Sequence, residues 1–582
     1  MADPLTALTP CFEEALRKAF GDDHTGVDPL LRFSDRADVQ ADVALGLAKK
    51  LGKNPREIAN AIVASLNANL TTTAICDRIE VAGPGFVNLT LSNNWIAQEL
   101  SSAASDPRFG IPLATKPETV VVDYSGPNVA KEMHVGHIRS TVLGDALVRV
   151  LAFLGHNVIR QNHLGDWGTP FGMLIEHLVD LGTGKANDVS VRDLDTFYKE
   201  ARAKFDGSAL FADRSRERVV LLQRGDLATL DLWQRLVGAS KHYFGEVYKK
   251  LDVTLGEHDF AGESMYNAML PGMVAELQSK GLIRESEGAL CAFPTGFKGK
   301  NGEPLPLIVQ KKDGGFGYAA TDLAALRERV CTRKATRILY VIGAPQQQHL
   351  AMVFAVAKDA GWLTPPARAE HVAFGSILGP DKKMFKTRTG GSVKLIELID
   401  EAIGRASALV DEKNPQLDER TRDQVARQVG IGAIKYADLS SDRIKDYVFD
   451  WSRMLAFDGN TAPYLQYAHA RIRSIFRKAG IEPSHMQKAC ISLHEPAERA
   501  LGLELLGLGA AARQVADTLQ PHRLCTYLYE LATAFTTFYE QCPVLKAKGE
   551  ATMSSRLALA ALTAQSLECG LSWLGIEAPE RM

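Results

Sequence analysis

The sequence has no Cys-x-x-Cys pair, no Gly-x-x-x-x-Gly-Lys-Ser/Thr segment and no apolar run near the ~18 residues that cross a bilayer. Its eight cysteines (Cys11, Cys76, Cys291, Cys331, Cys490, Cys525, Cys542, Cys569) are scattered. These absences exclude a zinc ribbon, a disulfide framework, a P-loop ATPase and a helical membrane protein, and no protein-held metal is expected. Charge of one sign is missing too: 67 Lys+Arg face 69 Asp+Glu, a net charge of −2. A non-specific nucleic-acid coat needs a large basic excess, whereas a protein that grips one RNA by shape and a few contacts does not. Asp3, Glu13 and Glu14 sit where a targeting segment would be basic or acid-free, so a cytoplasmic protein is expected. No internal repeat or low-complexity tract is present.

What is there is 582 residues, 46% hydrophobic and 23% charged, enough for about three to five domains. Helical spacing fills Phe12–Phe20, Asp42–Leu51 and Pro55–Leu66, and Ile79–Leu91 alternates like two strands around a Gly-Pro-Gly turn. Residues 1–115 therefore read as an N-terminal α+β domain, with Asp106–Pro117 as its linker. Thr119–Tyr124 (TVVVDY) reads as a buried parallel strand, followed by a loop, a helix over Gly136–Leu154 and a strand at Asn157–Gln161. The pattern returns at Arg337–Ile342 (strand), Gln346–Ala360 (helix) and His371–Leu378 (strand). One Rossmann-like, doubly wound parallel sheet split between 116–175 and 310–392 accounts for both, with an insertion at 176–309. Beyond it, Leu395–Val410, Arg422–Ser440, Pro463–Lys478, Ala497–Thr518, Pro521–Phe538 and Ser554–Leu574 have helical spacing. They predict a helical connecting region over 393–455 and an all-α bundle over 456–582. The fold class is multidomain α/β.

The sharpest chemical signal is His134-Val135-Gly136-His137, set after a strand and at the start of a helix. Glycine lets a ligand approach the backbone, and the helix N-terminus offers unpaired N–H groups to an anion. Two histidines in that first turn can donate to a phosphate as charge builds on it, and Lys131 adds a cation just upstream. Alone, His-x-Gly-His is more often two surface histidines; the flanking strand, helix and Lys131 favour a site. The second signal is Asp381–Lys394 (DKKMFKTRTGGSVK), with Lys382, Lys383, Lys386, Arg388 and Lys394 around two glycines. Such a loop suits a triphosphate, although most charge runs are solvated faces.

His134–His137 and Lys383-Met384-Phe385-Lys386 resemble the His-Ile-Gly-His and Lys-Met-Ser-Lys signatures of class I aminoacyl-tRNA synthetases. VVDYSGPNVAKEMHVGHIRST (121–141), NHLGDWGTPFGMLI (162–175), IVQKKDGGFGYAATDLA (308–324), IGAIKYADLSSDR (431–443) and FDGNTAPYLQYAHAR (457–471) resemble the bacterial type of arginyl-tRNA synthetase. The resemblance extends from VAGPGFVN to CPVLKA and LGIE, nearly the whole chain.

The resemblance implies a ligase that activates L-arginine with ATP and Mg2+ and passes it to the 3′ end of tRNA(Arg), as a monomer, with no membrane or DNA partner. It assigns ATP binding and catalysis to His134, Gly136, His137, Lys383 and Lys386, with Lys131 as a further catalytic cation. It assigns arginine binding to Asp123, Asn128, His137, Tyr318, Asp322 and Gln346, the last with Gln347 and Gln348 beside it in the register. The second signature departs from the family pattern at Phe385, where serine is usual. Lys131, Lys383 and Lys386 are alternatives for its cation, and an alignment on Thr387-Arg388 would place Thr387 at the last lysine. Residues 1–115 and 456–582 match domains that contact tRNA, with Tyr464, Tyr467 and Arg471 as candidates to stack and clamp bases, against core packing as the alternative. A small-molecule nucleotidyltransferase would not need the C-terminal bundle. A non-enzymatic tRNA-binding relative would not need His134, His137, Lys386, Tyr318 and Asp322 intact. A guanidinium has five donors in a fixed plane, so a pocket built for it leaves acceptors unpaired against lysine. The insertion therefore needs no editing role.

Overall fold

The computed structural model describes residues 3–24, 26–34, 36–182, 194–299, 301–385 and 393–582. The chain divides into two compact units, one of Met1–Leu113, Ala456–Ser572 and Glu577–Met582, the other of Ala114–Leu455 and Trp573–Ile576. Among the described residues no helix is long and apolar enough to cross a membrane.

In the first unit, strands β1 (Leu31–Ser34), β2 (Ala37–Ala41), β3 (Cys76–Ala82) and β4 (Phe86–Leu91) form an antiparallel sheet of order β1-β2-β4-β3. The β3–β4 hairpin is the one expected around the Gly-Pro-Gly turn. Helix Pro55–Asn67 starts where proline and a capping side chain would put it: Asn54 Oδ1 accepts from Arg56 N at 2.9 Å. The N- and C-terminal segments, read separately in the sequence, share this unit. A Cβ on Gly502 would stand 3.1 Å from Leu100 and 3.2 Å from Ile96, so glycine lets helix Pro496–Leu506 close on helix Asn93–Ala104. Arg499, on the same helix, donates to both carboxylate oxygens of Asp38 (3.0 and 2.7 Å), to Asn93 Oδ1 and to the Leu91 carbonyl. Arg499→Ala is expected to lower unfolding free energy by about 1–3 kcal/mol, since a half-buried carboxylate loses a bidentate partner; a denaturant melt measures it. The helix read at Ala497–Thr518 is two, Pro496–Leu506 and Leu508–Thr518, broken at Gly507, where a Cβ would lie 3.1 Å from the Tyr527 ring.

The second unit is built on β5 (Thr119–Asp123), β6 (Asn157–Leu164), β7 (Phe260–Gly262), β11 (Arg337–Tyr340) and β12 (Arg368–His371), all parallel, in the order β12-β11-β5-β6-β7. Between β7 and β11 the chain forms a small antiparallel sheet of β8 (Ile283–Ser286), β9 (Ala289–Ala292) and β10 (Leu307–Gln310). Two sequence expectations are corrected. Phe260–Gly262, counted within the insertion, pairs with Asn162–Leu164 and is the edge of the main sheet. His371–Leu378 is not one strand: β12 ends at His371, and β13 (Ile377–Leu378) pairs with β14 (Tyr447–Val448) instead. Val121, Leu323, Leu326, Ile338, Leu350 and Val353 form the core between the sheet and helices Tyr318–Cys331 and Gln347–Asp359.

The connecting region belongs to this unit. Helices Leu395–Lys413 and Glu419–Leu439 cross so closely at Gly430 that a Cβ there would meet the Ala402 carbonyl at 2.8 Å. Arg139, on helix Gly136–Phe153, makes a fully buried ion pair with Asp438 (3.1 Å). Residues Trp573–Ile576 complete the unit: Lys435 Nζ donates to the Gly575 carbonyl at 2.6 Å, and the Trp573 ring lies 4.5 Å from that of Phe153.

Candidate active site

In a doubly wound sheet, ligands bind outside the carboxyl ends of the strands, where the strand order reverses. Here the chain runs outward from β5 through β6 to β7, then crosses back to β11 and β12, so the reversal lies between β5 and β11. Most of the described candidates leave the sheet there. Lys131, His134 and His137 follow β5, Gln346 follows β11, and Tyr318 and Asp322 open the helix that leads into β11.

The loop after β5 is strained and is held in shape by hydrogen bonds. Ser125 and Ala130 have positive φ (73° and 61°), costly for residues with a Cβ. Ser125 N donates to Ser140 Oγ (2.8 Å), Ala130 N to Ser240 Oγ (2.9 Å) and Gly126 N to Asn162 Oδ1 (2.9 Å). Asn128 lies exposed over Gly165, whose Cβ, if present, would clash with Asn128 Oδ1 at 2.3 Å.

Helix Gly136–Phe153 then begins at the signature glycine. A Cβ on Gly136 would lie 2.8 Å from the His134 ring, so glycine lets that ring fold over the helix start. The two imidazoles are 4.0 Å apart between centroids. Gly136 N donates to His134 Nδ1 (3.1 Å). His134 Nδ1 is thus an acceptor, which puts the proton of its neutral ring on Nε2; His137 Nδ1 lies 3.0 Å from His134 N and 3.2 Å from the His134 carbonyl, so it can accept from the one or donate to the other. Burial, then Lys131, lowers the pKa of His134. Burial, then His134, brings His137 down from 6.5 to about 4. A histidine kept neutral in this way favours unfolding as pH falls from 6.5 towards 4, because the unfolded chain takes the proton first. At neutral pH the pair carries no net charge, and His134 offers its Nε2–H as a donor.

Lys131 is exposed, with Nζ 4.5 Å from the centre of the Tyr198 ring. In the second signature, Lys383 is exposed and its backbone N–H donates to Asp381 Oδ1 (3.1 Å). Phe385 stacks on Phe449 at 4.8 Å and 20°, which gives the residue in the serine position an aromatic partner. Lys386, Thr387 and Arg388 lie outside the described residues. Beyond them the chain returns to the first signature: Val135 N donates to the Val393 carbonyl (2.9 Å), and Leu395 N to that of Met133 (2.8 Å).

The arginine candidates divide. Tyr318 and Asp322 occupy one face of a helix that begins at Tyr318, so Asp322 is not a cap of that helix. Asp322 Oδ2 accepts from His349 Nε2 at 2.6 Å, and the Tyr318 ring meets that imidazole edge-on at 4.8 Å. Gln346 is exposed, one turn before His349. Asp123, expected as a guanidinium partner of the substrate, has an internal guanidinium on one oxygen. Its Oδ2 already accepts from Arg329 Nη2 at 2.8 Å, and Arg329, fully buried, also donates to Gln161 Oε1 at 2.6 Å. Asp123 is the internal counter-ion that holds Arg329 beneath the site.

Two residues were missed in the sequence. His349 is one. Glu263 is the other, its carboxyl pushed up to about 8 by burial and then by Asp322 and Asp166, against one backbone N–H from Trp167. Asp166 itself is occupied, accepting from Ser264 N and Oγ at 2.8 Å each. Apart from its acidity, nothing in Gly262-Glu263-Ser264 marks this position before folding.

In the first unit, Tyr464 packs 5.6 Å from Tyr529, Arg471 lies 4.5 Å over Tyr539, and Tyr467 is 45% exposed beside Phe457. Tyr467 therefore has a face open to a base, while Tyr464 is the more enclosed of the two.

Comparison with known proteins follows the same lines. Residues 100–451 match the family described as tRNA synthetases class I (R), catalytic domain; residues 465–582 match the DALR anticodon binding domain; residues 6–91 match the Arginyl tRNA synthetase N terminal domain. The chain is 55% identical over 583 residues to the arginine–tRNA ligase of Thermobifida fusca (strain YX), with 100% of both chains covered. It is 50% identical over 547 residues to that of Cellvibrio japonicus (strain Ueda107), with 94% of each covered. Its fold is similar to the crystal structure of arginyl-tRNA synthetase from Plasmodium falciparum (TM-score 0.85, 30% identity, 100% of this chain and 99% of that chain). It is also similar to the Thermus thermophilus enzyme of that name (TM-score 0.81, 27% identity, 99% and 100%). With signature histidines, a tyrosine–aspartate pair and full-length relatives in agreement, the chain belongs to the arginyl-tRNA synthetase family and is an enzyme that joins L-arginine to its tRNA.

Proposed function

We propose that the crevice between the ends of β5 and β11 divides the two substrates. ATP lies on the histidine side and the arginine side chain on the side of Tyr318, Asp322 and Glu263. The supporting observation is the reversal of strand order there, with the His134–His137 pair at one rim and the carboxyls of Asp322 and Glu263 at the other. An arginine carboxylate oxygen attacks the α-phosphorus of ATP, the bond to the bridging oxygen breaks, and pyrophosphate leaves. A terminal ribose hydroxyl of tRNA(Arg) then attacks the carbonyl of arginyl-adenylate and AMP departs. No protein nucleophile is required; His134 and His137 donate Nε2–H to the α-phosphate as its charge grows. Mg2+ travels with the triphosphate as part of that substrate. Gly136 lets the nucleotide approach the helix start, and Asn128 and Gln346 face the amino acid. Lys131, Lys383 and Lys386 are the cations available to pyrophosphate. The test is pyrophosphate exchange, with and without tRNA: exchange with arginine supports this reading, and exchange only with another amino acid overturns it.

The first unit, in the same reading, carries tRNA on Tyr464, Tyr467 and Arg471, and the chain works as a monomer. Stacking of one base contributes about 1–3 kcal/mol. Tyr467→Ala is therefore expected to raise the tRNA Michaelis constant roughly 5- to 150-fold and to leave that for arginine unchanged. Steady-state aminoacylation with each substrate varied in turn checks this.

A further inference from the structure

We propose that His349 is a positioning residue for arginine recognition: it fixes the Asp322 carboxylate in the plane that the guanidinium requires. The proposal rests on the assignment of Asp322 to the arginine pocket. Asp322 stands in the second turn of helix Tyr318–Cys331, and His349 is the third residue of helix Gln347–Asp359. Their side chains meet at 2.6 Å, Nε2 to Oδ2. An ionised carboxylate only accepts, so the imidazole donates. That bond removes the torsional freedom of the carboxylate and occupies one oxygen, leaving Oδ1 and the negative charge for the substrate.

The imidazole is itself braced. The Tyr318 ring lies edge-on to it at 4.8 Å, and both partners are largely enclosed, with side-chain exposures of 15% for His349 and 21% for Asp322. Three side chains from two helices thus fix one acceptor direction. Direction matters more for a guanidinium, whose donors lie in a rigid plane, than for a rotating ammonium. His349 also stands three residues beyond Gln346, the N-cap of its helix, so the start of one helix supplies both the pocket amide and the group that orients the acid contributed by the other.

The experiment uses the full-length enzyme with tRNA(Arg), ATP and arginine. His349→Leu should raise the arginine Michaelis constant by roughly 10-fold, the scale of one hydrogen bond to a charged group, and move that of ATP less than about twofold. His349→Gln, whose amide N–H reaches towards the position of Nε2, should recover most of the loss. Asp322→Ala and the double variant Asp322→Ala/His349→Leu should share one arginine constant, because a residue that acts through the Asp322 carboxylate has nothing to add once that acceptor is gone. The proposal is overturned if His349→Leu leaves the arginine constant unchanged while Asp322→Asn raises it. Additive effects in the double variant, or equal losses for arginine and ATP with a lowered melting temperature and no rescue by glutamine, overturn it as well. If Asp322→Asn itself leaves the arginine constant unchanged, the pocket assignment fails first and the role of His349 falls with it.

Discussion

Replacing His134 or His137 with alanine is expected to lower the turnover rate of adenylate formation roughly 10²- to 10³-fold, the usual cost of one preorganised transition-state donor. The ATP dissociation constant should change far less. His134 receives the Gly136 N–H on Nδ1, and His137 Nδ1 is within hydrogen-bond reach of both His134 N and the His134 carbonyl, so both rings are held in place before substrate arrives. Burial lowers the pKa of His134 and brings that of His137 down to about 4. The chemical step should therefore show no inflection near pH 6.5, where an ordinary histidine titrates. Single-turnover rates from pH 5.5 to 8, with ATP affinity measured separately, check both parts. A loss confined to ATP binding would remove the transition-state role.

Asp322→Asn keeps the side-chain volume and removes one charge. The arginine constant should rise on the order of 10- to 150-fold, from about 1.5–3 kcal/mol for a charge-assisted hydrogen bond, with the ATP constant nearly unchanged. A second readout follows from Glu263. Its carboxyl is raised to about 8, chiefly by burial and next by Asp322, so in the empty enzyme at pH 7 it holds a proton that an arriving guanidinium would expel. Arginine binding should release protons at pH 7 and tighten as pH rises to about 8. In Asp322→Asn the release should shrink, because one cause of the raised value is gone. Calorimetry in two buffers of different ionisation enthalpy counts those protons. A loss of melting temperature with an intact arginine constant would take Asp322 out of the pocket.

The chemistry was legible where it is local in sequence. His134–His137 can be read because strand, loop and helix start lie within about twenty residues, and Tyr318 and Asp322 because four residues make one helical turn. The misreadings all involve distant partners. That Asp123 pairs with Arg329, 206 residues away, has no signal in the local sequence. His349 lies 27 residues from Asp322 and carries no spacing signal of its own. The β1–β2 hairpin was missed because LRFSDRADVQA is too polar to show a buried face, and only β4 covering β2 makes it a sheet. His371–Leu378 alternates like one strand, but Tyr447–Val448 competes for its second half.

The first unit is assembled from the two ends of the sequence, and the ribosome makes them far apart in time. At roughly 5–20 residues per second, synthesis of the intervening Ala114–Leu455 takes on the order of half a minute. Throughout that interval Ile96, Leu100 and Asp38 wait for Gly502 and Arg499, which do not yet exist. The nascent chain therefore carries an exposed apolar helix face while its catalytic sheet is being made. A transcript cut short before helix Pro496–Leu506 yields a product in which Ile96 and Leu100 lack the neighbour that Gly502 brings against them.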